Sequence, residues 1–129
     1  MIRKTAQIAA EQADREAIRD CLYRYCRGID RLDVDLILSA YWPDASDEHG
    51  NFLAHSAQEF VDHAVPIIRS IDLTTHFIGN VLIAIEGDHA FVESYIQAFH
   101  RMRREDGTRY DHMSSSRFID RMEKRDDEW

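Results

Sequence analysis

The sequence predicts an α+β domain in which helices come first and an antiparallel meander follows beneath them. Apolar residues recur at helical spacing through the first part of the chain. Long alternating runs fill the rest, and glycine-containing turns at Gly87-Asp88 and Asp106-Gly107 separate them. With 129 residues, 44% of them apolar and 31% charged, the chain reads as one globular domain over 1–129.

Ile18, Cys21, Leu22, Tyr25, Cys26 and Ile29 form one apolar stripe and predict a long first helix. Gly28 weakens its end, and Asp30 stands where the stripe should continue. Asp33 is placed to cap a short second helix in DVDLILSAYW, with Leu36, Ile37, Ala40 and Tyr41 facing inward and Pro43 helping to end it. SDEHGNFLA reads as strand, turn and strand. Ser56 and Glu59 form a capping box ahead of Phe60, Val61, Ala64, Val65 and Ile68, and Pro66 predicts a kink or an early end to that helix. From residue 74 the runs TTHFIGNVLIAIE, HAFVESYIQAFHRMRR and TRYDHMSSSRFIDRME predict three strands.

A net charge of −8 argues against nucleic acid as a partner, since such proteins normally present a basic face. Arg101, Arg103 and Arg104 are flanked by acidic residues and read as a solvated strand end. No run is apolar and long enough to span a bilayer, and the first residues lack a signal-peptide core, so a cytoplasmic protein with no membrane partner is expected. Cys21 and Cys26 share one helix, a poor geometry for a disulfide, and read as free thiols in the core. The seven histidines show no HxxxH or HExxH spacing, and no phosphate-cradling or dinucleotide motif is present; neither a metal nor a cofactor is expected. His55, His63 and His89 lie among polar or turn residues and are expected at the surface.

His76 sits among apolar residues at the start of a strand, where a buried imidazole needs a partner. Hairpin parity decides its neighbours. A two-residue first loop pairs Glu86 with His89 and sets His76 opposite Phe99, with His100 on the other side of the sheet. Odd-length loops, or an equivalent bulge, set His76 opposite Ala98 and gather His76, Asn80, His100, Ser114 and Ser116 on one surface. A three-residue second loop ending in Gly107, with Arg104 paired to Thr108, is the usual glycine-bulge arrangement. Asp30, on the inward edge of the first helix, is the candidate partner for His76: its carboxylate would fix one ring nitrogen and free the other as a general base. On spacing alone a helix-end turn residue or cap, and a satisfied core histidine, are the commoner readings.

YRYCRGIDRLDVDLILSAYWPDA, THFIGN, GDHAFVESY and RFIDRMEKRDDEW together resemble the SnoaL-like, scytalone dehydratase-like branch of the nuclear transport factor 2-like superfamily, from about residue 10 to residue 129. The resemblance implies a cone: a curved sheet wrapped by N-terminal helices around an apolar pocket. It implies an Asp–His pair in which the histidine removes a proton beside the leaving group, and Asp30 and His76 match those positions. Tyr25 matches a catalytic tyrosine of the bile-acid enzyme and a lysine of the dehydrochlorinase. His100 and Ser116 match pocket residues of scytalone dehydratase, while His49 and Phe118 replace a tyrosine and an asparagine of that enzyme. His49, Tyr41, Phe52 and Asn80 complete the expected substrate-binding set. Family members usually continue into one more strand, which in two of the lyases carries a pocket arginine; this sequence stops at Trp129, and no arginine is assigned to that role.

The function so implied is a cofactor-independent lyase, dehydratase-like, acting on a small hydrophobic cyclic substrate. The alternatives are an isomerase or cyclase of the same fold, and a non-catalytic ligand-binding or accessory subunit resembling the β subunit of ring-hydroxylating dioxygenases. A homo-oligomer, dimer or trimer, is expected through the outer sheet face, read as Phe77, Val81, Ile83 and Ile85 on one strand and Phe91, Tyr95 and Phe99 on the next.

Overall fold

The computed structural model describes residues 2–129, with side chains from residue 4 onward. Helix α1 (Ile2–Arg31) buries Ile18, Cys21, Leu22, Tyr25, Cys26 and Ile29, the stripe read from the sequence. Fully burying an isoleucine such as Ile18 contributes roughly 1.5–3 kcal/mol, so this face fastens the helix to the sheet. Its end is a Schellman motif. Asp33 N–H donates to Gly28 O at 2.9 Å and Leu32 N–H to Ile29 O at 3.3 Å, with Leu32 in the left-handed region at φ 53°.

That reversal leads directly into α2 (Val34–Leu38), where the Asp33 side chain accepts from Leu36 N–H at 3.1 Å as expected. Gly28 does more than weaken a helix end. A Cβ there would stand 2.7 Å from Ile37 Cγ1 and 2.8 Å from Ile37 N, so the bare backbone lets α2 pack onto α1. Strands β1 (Asp47–His49) and β2 (Phe52–Ala54) form a small hairpin of their own.

Helix α3 (Ala57–Arg69) opens on the capping box: Glu59 N–H donates to Ser56 Oγ at 3.1 Å, and the Glu59 carboxylate accepts from His55 N–H at 2.8 Å. The early end expected at Pro66 does not occur, since the helix runs on to Arg69. Proline removes one ladder bond, but Ile68 beyond it packs against the same cluster as Phe60 and Val61, which keeps the last turn in place.

Strands β3 (Leu73–Glu86), β4 (His89–Arg103) and β5 (Arg109–Glu123) form an antiparallel sheet in the order β3-β4-β5. The second hairpin is as expected. Arg104 N–H donates to Thr108 O at 2.8 Å, Gly107 N–H donates to Arg104 O at 2.9 Å, and Gly107 lies at φ +85°. The first hairpin has a two-residue loop, Glu86 pairing with His89 and Gly87 at φ +63°. Parity is restored farther along: a β-bulge between Ile78 and Val81 sets two residues, Gly79 and Asn80, against Tyr95 and leaves His76 opposite Ala98.

The bulge overturns two expectations. Val81, Ile83 and Ile85 turn inward beneath α1, against Ile18, Leu22, Ala90 and Val92. The outer face instead presents Phe77, Leu82, Phe91, Tyr95, Met113 and Ile119, all well exposed. Asn80 lies within the bulge, exposed, and does not join the surface that carries His76. After β5 the chain turns at Arg125–Glu128, with Asp126 and Asp127 both left-handed, and folds back on α1. There Lys124 Nζ lies 2.9 Å from Asp14 Oδ1 and Trp129 Nε1 donates to the same oxygen at 2.9 Å. Among the described residues no helix is long and apolar enough to cross a membrane.

Candidate active site

The last turn of α1 carries Asp30 against the edge strand β3. His76 Nδ1–H donates to Asp30 Oδ1 at 2.7 Å, and the backbone N–H of His76 donates to Asp30 Oδ2 at 2.9 Å. An ionised carboxylate only accepts, so the ring proton belongs on Nδ1 and Nε2 keeps its lone pair. One carboxylate therefore fixes the strand, the ring and the tautomer together. The two side chains are 11% and 18% exposed, sheltered but reachable.

His100 shares this surface. Its ring lies 5.6 Å from that of His76, centroid to centroid, and its Nδ1 is 2.9 Å from Thr74 Oγ1. Burial, then the neighbouring His76 and His112, hold its pKa below the ordinary histidine value, so it is a neutral donor or acceptor near pH 7. Ser114 and Ser116 pair with Ala98 and Ile96 and follow on the same face.

Tyr25, Tyr41 and His49 gather elsewhere, around a cleft of about 1090 Å³ between α1, the β1 hairpin, β5 and the returning tail. Asp30, His76, His100, Ser116, Phe52 and Asn80 do not line it. Tyr25 packs within the wall of the cleft: its ring meets Phe118 at 5.7 Å and Tyr41 at 6.0 Å. Burial, then Asp47, Cys26, Asp120 and Asp30 in turn, raise its pKa far above the ordinary tyrosine value, which keeps the phenol protonated. Tyr41 is raised too, chiefly by burial, and its hydroxyl donates to Asp47 Oδ2 at 2.8 Å. His49 Nδ1 stands 3.7 Å from Asp47 Oδ1, an ion-pair distance rather than a hydrogen bond, and that carboxylate raises its pKa against the effect of burial. Phe52 stacks on His63 with centroids 3.6 Å apart and supports the core behind the cleft.

Sequence reasoning missed Asp47 and Asp120. Asp47 Oδ1 and Asp120 Oδ2 are buried without a hydrogen-bond partner. The alternation that carries Ser114 and Ser116 inward carries Asp120 inward as well, and that was the available signal. Burial, and then Asp47, push the Asp120 carboxyl up to about 6. Among the described residues no group of three or more His, Cys, Asp or Glu side chains is disposed to hold a metal ion.

Solved structures with this fold include a provisionally assigned scytalone dehydratase from Novosphingobium aromaticivorans, with TM-score 0.82 and 21% identity over 95% of this chain and 81% of that one. A hexachlorocyclohexane dehydrochlorinase, LinA type 2, aligns with TM-score 0.83 and 18% identity over 94% of this chain and 82% of that one. A nuclear transport factor 2-like protein with a cystatin-like fold, also from N. aromaticivorans, aligns with TM-score 0.81 and 21% identity over 100% of this chain and 84% of that one. No curated protein matches the chain. At these identities the likeness shows the fold. The model of the SnoaL-like domain matches residues 10–129, nearly the whole chain, and the protein belongs to that family.

Proposed function

We propose that the protein is a cofactor-independent lyase acting on a small hydrophobic cyclic substrate, with His76 as general base. The observation that carries this reading is the 2.7 Å hydrogen bond from His76 Nδ1 to Asp30, which leaves Nε2 free on a sheltered surface. Nε2 would take a proton from a ring carbon. The C–H electron pair becomes the new double bond as the neighbouring C–X bond breaks, and X departs with its electrons. Asp30 holds the tautomer and stabilises the imidazolium that forms. Tyr25, kept protonated by burial, donates a hydrogen bond to the departing or carbonyl oxygen. His100 and Ser116 contact the substrate from the same sheet face as the base. The resemblance to a dehydratase and a dehydrochlorinase in fold supports this class of reaction. An isomerase would use the same first step and return the proton elsewhere.

The test follows the proton. In D2O, wild-type protein should exchange α-hydrogens of cyclic ketones such as 2-tetralone faster than background, as read by NMR. His76→Ala should lower that rate about 10²–10⁴-fold. Asp30→Asn keeps an acceptor for the His76 backbone but reverses the donor facing Nδ1, so exchange should fall while the circular dichroism stays unchanged. Full exchange in either folded variant would sink the base assignment. The position of the cleft, away from His76, favours a second reading as a non-catalytic ligand-binding protein. Ligand binding without exchange on any cyclic substrate would select it.

A further inference from the structure

Asp120 lies on the inner face of β5, opposite Val92, and lines the cleft, yet makes no hydrogen bond or ion pair among the described residues. Tyr25 lines the same cleft, is only 8% exposed, and its hydroxyl is likewise without a partner. Asp47, the third polar group, uses one oxygen on Tyr41; the other is buried without a hydrogen bond and has only the His49 ring at 3.7 Å. Unpartnered acceptors in a sheltered site are unfavourable, by roughly 1–3 kcal/mol each, unless something else donates to them. The basic side chains of β5 are engaged elsewhere: Arg121 with Glu123 at 2.7 Å and Arg117 with Glu93 at 3.7 Å. Phe118, Tyr25 and Tyr41 supply aromatic walls beside these groups, and the volume is ample for a drug-sized ring system.

We infer that this cleft is a recognition site for the polar end of a ring-containing ligand, with Asp120 and Asp47 accepting hydrogen bonds from its hydroxyl or ammonium group and Tyr25 completing the set. The site goes beyond the proposed lyase reading and assigns a ligand class: an apolar ring body carrying a hydrogen-bond-donating head group. It does not use His76, so it stands or falls by binding alone, whatever becomes of the proposed reaction. A hydroxyl pairs with one carboxylate oxygen. An ammonium adds charge to the same geometry, because Asp120 has no cation of its own.

The experiment titrates the full chain with four naphthalenes by calorimetry: 2-naphthol, 2-naphthylmethylamine, 2-methylnaphthalene and 2-naphthoate. The two donors should bind at least tenfold more tightly than 2-methylnaphthalene, and the naphthoate most weakly, repelled by the carboxylates. The naphthol and the amine, compared with each other, show which head group the site takes. Asp120→Asn removes the charge and should abolish the preference for the amine. Asp120→Val removes the acceptor and should abolish the preference for the naphthol, and circular dichroism confirms that each variant is folded. Equal binding of all four compounds to the wild type would overturn the inference. So would an affinity order that survives both substitutions.

Discussion

Replacing Asp120 by asparagine should make the protein more stable, and the gain should depend on pH. Burial raises this carboxyl from the ordinary 3.8 to about 6, with Asp47 contributing next and no hydrogen bond or cation compensating. A tenfold difference in proton affinity is worth about 1.4 kcal/mol, so an ionised Asp120 costs the folded state ~3 kcal/mol at pH 8. Because the folded pKa lies above the unfolded one, the folded state binds the proton more tightly. Stability due to this group therefore rises as pH falls from about 6 towards 3.8 and is lost as pH climbs back through 6. Asparagine carries no charge and escapes the penalty. In urea denaturation at pH 8, Asp120→Asn should be ~2–3 kcal/mol more stable than wild type, shrinking to about 1 kcal/mol at pH 4.5. A variant no more stable at pH 8, or a gain identical at both pH values, would refute the picture of a buried carboxyl without a partner. The coexistence of lost binding and gained stability is the expected signature of a group kept for function.

Leu32 occupies the left-handed position that ends α1, where glycine is unstrained, so Leu32→Gly should raise stability by about 1 kcal/mol, read as a higher denaturation midpoint. Gly28→Ala should do the opposite. Its new Cβ would meet the Ile37 backbone at 2.8 Å, and overpacking of this kind costs roughly 1–3 kcal/mol, measurable by thermal melting. Association through the outer sheet face predicts that Phe77→Glu combined with Ile119→Glu, the side chains 67% and 74% exposed there, converts an oligomer to monomer in analytical ultracentrifugation. A wild type that sediments as a monomer would dismiss that interface.

Much of the fold was legible because local chemistry dictated it. The α1 stripe, the Asp33 cap, the Ser56–Glu59 box and the Gly107 turn each involve residues a few positions apart, and each stands as read. The misreadings of the sheet come from a single long-range event. A bulge at Gly79-Asn80 reverses the alternation of β3, which sent Val81, Ile83 and Ile85 inward and Asn80 out of the expected surface. A lone strand glycine hints at such a bulge without fixing its place. The pairing of Asp30 with His76 was approachable because stripe and parity pointed the same way. The empty acceptors at Asp47 and Asp120 were not, since a missing partner is visible only once every neighbour has been placed.

The bond between Asp30 and the His76 backbone has one more consequence. β3 is an edge of its sheet, and an edge displays free amides and carbonyls to which any extended chain can add. Here α1 reaches across that edge twice: Asp30 takes the His76 amide, and Arg15 donates to the Ile83 carbonyl at 2.7 Å. The helix thereby occupies rungs that a foreign strand would need and guards this border of the sheet against aggregation. Loss of Asp30 would then do more than silence an imidazole. It would unlatch one side of the sheet, and the variant would be expected to form fibrils or strand-swapped aggregates sooner than the wild type under mild denaturation.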